Sequence, residues 1–140
     1  MRRTADRLNI LFLIIGIIGT LAYPYLREYS LKAFMPRYLI FHWYILFPIL
    51  SFSIGYLLFR VVLIKATVQI PIGWKRILMC LLHLIIGTYL LVSIITCLHC
   101  YVNFLPSIIA DKLLYWMAMI YEHGLLAFAI IGGLYSVAVA

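Results

Sequence analysis

Two residues that could carry chemistry, Glu122 and His123, interrupt the long apolar stretch between Asp111 and Ala140. A carboxyl group near the centre of a bilayer costs on the order of 3 kcal/mol on insertion scales, so packing, protonation or function must offset it. Loss of hydration at that depth favours the neutral acid. Glu122, with His123 beside it, is therefore our candidate intramembrane polar site, as a structural clamp or as a proton carrier.

The preceding apolar stretch supplies two candidate partners for Glu122. Thr88 is predicted to lie at the same depth, and His83 about one helical turn nearer the cytoplasm. A Glu122–His83 pair would form either a polar clamp or a proton relay. A third interpretation makes residues 107–121 a helix in the membrane interface, with Glu122 and His123 at the water boundary. It leaves residues 124–140, about 25 Å long, as a slightly short span.

A CxxC motif, formed by Cys97 and Cys100, lies at the predicted outer end of the third apolar stretch. Thiols three residues apart on a helix are neighbours, and oxidising conditions outside would allow a disulfide. Membrane thiol oxidoreductases that reduce quinone place a CxxC motif similarly, but they need a second cysteine pair. Here only Cys80 remains, near the opposite surface. We therefore prefer two buried cysteines to a thiol or quinone redox site.

The four histidines raise the question of haem. A bis-histidine haem needs ligands from two facing helices at matching depth. His42 and His99 are both predicted near the outer surface, but His99 stands at the mouth of its helix and His42 reads as an interfacial residue. His83 and His99 lie about 160° apart on one helix. We expect no haem, no quinone and no other cofactor.

The chain shows no zinc-ligand spacing, nucleophile elbow or phosphate-binding loop, so we predict no metal ligands and no catalytic residues. An enzyme is accordingly not favoured.

Composition predicts a membrane protein. Hydrophobic residues make up 67% of the chain and charged residues 11%, whereas soluble domains carry about 25% charged residues. The net charge of +7 comes from bases at the ends of apolar stretches. That placement indicates anionic lipid headgroups rather than nucleic acid as the partner. The expected location is a membrane, and the cytoplasmic membrane if the source is bacterial.

The apolar stretches predict an all-α fold, a bundle of four transmembrane helices forming one integral membrane domain over residues 1–140. We expect a loop over residues 27–37 and a kink at Pro48, which lacks a backbone N–H. The predicted spans cover approximately residues 8–26, 38–59, 77–98 and 113–136.

The bases are divided unevenly between the two predicted sides. The amino-terminal tail and the 60–76 connection carry seven, while the 27–37 segment and Lys112 carry four. Because cytoplasmic loops are enriched in Lys and Arg, we predict both termini in the cytoplasm.

Small and polar residues recur on one face of the last predicted span. Such a seam marks where a membrane helix packs closely on another helix, so we expect Glu122 to point into the protein. A small chain with such seams favours a non-enzymatic subunit or accessory protein that binds a membrane partner or itself. The alternative is a small homo-oligomeric permease or proton-coupled carrier that uses Glu122, and the third hypothesis is the redox protein. The seam residues are Asp111, Tyr115, Ala118, Glu122, Ala129, Gly133, Ser136 and Ala140.

Overall fold

The computed structural model describes residues 2–32, 37–65 and 71–139, and all regular structure within these ranges is helical. The predicted connections at residues 33–36 and 66–70 lie outside the described residues. Three helical stretches are long and apolar enough to cross a membrane, or four if a bent helix pair is one span. The helices are α1 (Arg2–Lys32), α2 (Arg37–Phe41), a π-helical turn (His42–Leu46), α3 (Phe47–Lys65), α4 (Ile72–Val102), α5 (Ser107–His123) and α6 (Leu125–Val139).

Helices α1, α3 and α4 run alternately in opposite directions, and this arrangement brings the start of α1 and the end of α6 to the same side. Asp6 of α1 contacts Tyr56 and Arg60 near the end of α3. Val139 of α6 lines a groove together with Lys75 at the start of α4. We call this side, which carries the bases of α1, α3 and early α4, the basic end. The opposite side, where α1 ends and α5 begins, is the loop end.

The closest helix contact joins α3 and α6, and glycine makes it possible. A Cβ atom on Gly55 would collide with the carbonyl oxygen of Ala129, and one on Gly132 with the carbonyl oxygen of Phe52. Gly132 and Ser136 are accordingly buried. Small residues at both surfaces let the two backbones touch, which is how membrane helices gain packing energy without a hydrophobic driving force.

The chain adapts to Pro48 in two ways. The helix winds into a π-helical turn just before it, with the Phe47 N–H donating to the His42 carbonyl. Proline has no N–H to donate to the carbonyl four residues earlier, that of Tyr44. The Tyr89 hydroxyl of α4 donates to this carbonyl instead, at 2.7 Å. A side chain of a neighbouring helix thus satisfies the group that proline leaves unpaired.

Helix α1 is longer than the predicted span. The prediction of a loop that begins at residue 27 is wrong for residues 27–32, which are helical. The helix passes through Pro24 and continues to Lys32. Residues 26–32 include several strong helix formers, and Glu28 pairs with Lys32 one turn later at 2.6 Å. Their helical preference outweighs the single hydrogen bond that Pro24 removes.

The last predicted span, residues 113–136, is divided between two helices rather than formed by one straight helix. Helix α5 ends at His123 and α6 begins at Leu125, and their axes differ by 73°. Gly124 joins them with its N–H on the Ile120 carbonyl at 2.7 Å. A Cβ atom on Gly124 would collide with that carbonyl oxygen, so the bend depends on glycine.

Candidate functional site

Glu122 and His123 lie at the break between α5 and α6, halfway up the helix stack. Ile120 shares a surface groove with Thr88 of α4, and Phe128 packs on Tyr89 with ring centroids 4.5 Å apart. The middle residue of α4, which spans residues 72–102, is Gly87. The helix break and its polar pair are therefore close to the level of the middle of α4. Next to them, Tyr121 packs on Trp43 and Phe47.

The Glu122 carboxylate points away from the chain's own interior, contrary to the inward seam that we predicted. The side chains of Glu122 and His123 are 65% and 70% exposed, and their nearest oxygen and nitrogen atoms are 3.8 Å apart. Gly133 and Ser136 are buried as expected. The seam is divided because the bend at Gly124 turns the α5 half away from the α6 half.

The candidate partners of Glu122 have other neighbours. His83 is level with Tyr135, whose hydroxyl lies 3.4 Å from Nε2. The His83 Nδ1 atom lies 2.7 Å from the Met79 carbonyl oxygen. Thr88 lines the same groove as Ile120, which brings it near the break. Of the residues singled out from the sequence, the structure therefore groups Glu122 with His123 and separates them from His83.

A buried ionic cluster at the basic end was missed by sequence reasoning. The Tyr56 hydroxyl donates to one Asp6 carboxylate oxygen at 2.6 Å, and Arg60 approaches the carboxylate with two nitrogens at 3.4 Å. Tyr56 is fully buried and Arg60 only 8% exposed. A charge removed from water needs a partner of this kind. One signal was available, since Tyr56 and Arg60 stand one helical turn apart at the end predicted to face Asp6.

The contact between α1 and α3 holds further buried polar atoms. Among the described residues, Asn9 Oδ1, Ser53 Oγ and both ring nitrogens of His42 are buried without a hydrogen-bond partner. Each such atom costs about 1–3 kcal/mol. His42, which we predicted to be an interfacial residue, has its side chain buried near Gly19 and Tyr23. The surface that α1 faces thus holds buried polar atoms beside the apolar contacts of Leu50 with Gly16 and of Leu46 with Gly19.

The cysteine motif lies within packed structure. Cys97 is buried in a cluster with Ile40, Tyr44 and Met117, and Cys100 is half-buried against the same cluster. The neighbouring His99 holds the following turn, since its Nδ1 accepts the Leu105 N–H at 3.0 Å. Both positions support a packing role.

Within the described ranges, no group of three or more His, Cys, Asp or Glu side chains could hold a metal ion. Comparisons with protein-family models, curated proteins and solved structures found no match to this chain. Function must therefore be argued from geometry and chemistry.

Proposed function

We propose that this chain is a four-span integral membrane subunit, with both termini in the cytoplasm, that associates laterally with another membrane chain through the α5–α6 break. Helix α5 begins at the loop end and α6 finishes at the basic end, which supports the pair as one broken crossing. The excess of bases at the basic end supports the orientation.

The exposed carboxyl at half height carries the proposal. A charged side chain facing lipid at mid-depth is among the most expensive arrangements in a membrane. Helix α6, which follows the break, is highly apolar. No polar stretch of this helix therefore connects the Glu122 carboxyl with water at the membrane surface. A neighbouring protein surface offsets the cost because it supplies hydrogen bonds and excludes lipid.

The chemistry of the partner follows from the surroundings of Glu122. The groove beside the break has mainly apolar walls and two residues with hydroxyls, Thr88 and Tyr89, and the Tyr89 hydroxyl already donates to the Tyr44 carbonyl. It therefore fits an apolar transmembrane helix that carries one hydrogen-bonding or basic side chain. A second copy of this chain offers the same elements, because His123 stands next to Glu122 on the exposed surface.

Site-specific photo-crosslinking in native membranes tests the proposal. A photoreactive amino acid in place of His123 should give a discrete protein adduct. The same amino acid in place of Ile18, which is 61% exposed on α1, is the matched control and should give mainly lipid adducts. Equal protein adducts from both positions, or none from either, would contradict lateral assembly at the break.

Substitutions of Glu122 then test its role. Glu122→Gln keeps most hydrogen bonds of a neutral acid and should retain the adduct at position 123. Glu122→Leu should weaken assembly by about 1 kcal/mol, roughly fivefold, the scale of a hydrogen bond within a membrane bundle. If Glu122 faces lipid instead, Leu would leave assembly unchanged and raise the yield of inserted protein.

A second candidate function, a proton-coupled carrier, is favoured by the same helix break. Carriers often bind their substrate at helices interrupted near the membrane centre. A carrier that titrates Glu122 should assemble normally as Glu122→Gln but lose proton-coupled flux. A subunit should keep its activity in that variant.

A further inference from the structure

An open groove lies between α4 and α6 at the basic end of the helices. Its volume is about 850 Å³, within the range of roughly 300–1,000 Å³ of ligand pockets. It extends along α4 from Lys75 to Leu84, about 14 Å at 1.5 Å per residue. The groove thus follows α4 for more than two helical turns, and it begins where the apolar part of α4 begins.

The two ends of the groove differ in polarity. Lys75 and Arg76 stand at its mouth, while Met79, Cys80 and Leu84 line its deeper part. None of the described residues that line it is acidic. The first turn of α4 contains no acidic residue either, so the positive end of its helix dipole adds to the field of the two bases.

His83 lines the groove and has two polar neighbours. Its Nδ1 atom lies 2.7 Å from the Met79 carbonyl oxygen, and its Nε2 atom lies 3.4 Å from the Tyr135 hydroxyl oxygen. The groove therefore has a cationic mouth and a mainly apolar interior that contains one imidazole ring.

We infer that this groove binds one anionic phospholipid of the cytoplasmic leaflet, with its phosphate at Lys75 and Arg76 and an acyl chain along α4. Basic pockets between helices at the cytoplasmic side suit anionic headgroups. The apolar length of the groove matches a chain rather than a soluble anion. This site is separate from the α5–α6 break and does not depend on the proposed partner.

Cys80 provides a direct readout, because it lines the groove and is exposed. Cys97→Ala and Cys100→Ala together leave it as the only cysteine of the chain. This variant, purified in a neutral detergent, is titrated with dioctanoylphosphatidylglycerol while the rate of maleimide labelling of Cys80 is measured. The anionic lipid should slow labelling at least fivefold, and dioctanoylphosphatidylcholine should not.

Charge variants identify the headgroup contact. Lys75→Gln with Arg76→Gln should weaken protection about 30-fold, at roughly 1 kcal/mol for each base. The matched control, Arg27→Gln with Lys112→Gln, removes two exposed bases elsewhere and should leave protection unchanged. Native mass spectrometry of Cys80→Trp, which fills the apolar part while keeping the charges, should show loss of the bound lipid.

Three results would overturn the inference. Equal protection by the zwitterionic lipid would show that the mouth selects no charge. Full protection by glycerol phosphate alone would assign the site to a soluble phosphate rather than a lipid. Retained lipid in both the charge variant and Cys80→Trp would place the lipid elsewhere on the protein.

Discussion

The buried cluster of Asp6, Tyr56 and Arg60 should hold α1 against α3, and removing the carboxylate charge should be costly. In Asp6→Asn the Arg60 guanidinium, 8% exposed, loses its counter-charge. Breaking a buried ion pair by removing one partner costs about 3–5 kcal/mol. Because the Asp6 side chain is 33% exposed, we expect the lower limit of that range.

Tyr56→Phe removes the shorter contact and separates the two interactions. Its hydroxyl donates to the carboxylate at 2.6 Å, and hydrogen bonds to charged groups contribute about 1.5–3 kcal/mol. Since Asp6 keeps Arg60 in this variant, the loss should be smaller than in Asp6→Asn. Asp6→Asn with Arg60→Gln should recover part of the stability, because no unpaired charge then remains buried.

The chain contains a matched control in the Glu28–Lys32 pair of α1. Its atoms are closer, at 2.6 Å, but its side chains are 65% and 74% exposed. Exposed pairs contribute little, so Glu28→Gln should cost no more than about 0.5 kcal/mol. Reversible unfolding by dodecyl sulfate in mixed micelles, followed by tryptophan fluorescence, gives each free energy. If Asp6→Asn costs no more than Glu28→Gln, burial does not decide the strength of these pairs and the reasoning fails.

The same unfolding assay tests two further contacts. Gly55→Ala should cost about 3 kcal/mol by forcing α3 from α6, whereas Gly87→Ala, with open space around it, should be neutral or stabilising; equal effects would contradict the close contact. Tyr89→Phe should cost about 1 kcal/mol because the Tyr44 carbonyl loses its donor. In a Pro48→Ala background, where residue 48 regains an N–H, that cost should fall toward zero, and an unchanged cost would refute the pairing.

The helical, membrane-compatible character of the chain could be predicted from composition because it depends on sums over many residues. The prediction of an all-helical chain with long apolar helices is confirmed for the described residues. Individual contacts do not follow from such sums. Asp6 and Tyr56 are 50 residues apart in the sequence. The hydrophobic periodicity of each helix predicts a buried face, but it does not predict which faces of two helices pack together.

The bend at Gly124 shows why a helical wheel misplaced Glu122. A wheel assumes one straight axis, so residues 122 and 133, eleven apart, fall on the same face. The 73° bend gives the two halves different axes, and only the α6 half keeps its seam against α3. Gly124 was the available signal, since glycine within a helical pattern marks a place where the backbone can bend.

The bend at Gly124 determines where the Glu122 side chain lies. In a straight helix Glu122 would share the face of Gly133, which packs against the Phe59 ring of α3. Along such a helix the two residues would be about 16 Å apart, so Glu122 would extend the same line of contact with α3, where a carboxyl is dehydrated. The bend at Gly124 instead leaves the Glu122 side chain 65% exposed. In the four-span arrangement that we propose, lipid could not hydrogen-bond the carboxyl at that level, so the surface of a neighbouring membrane chain supplies the hydrogen bonds.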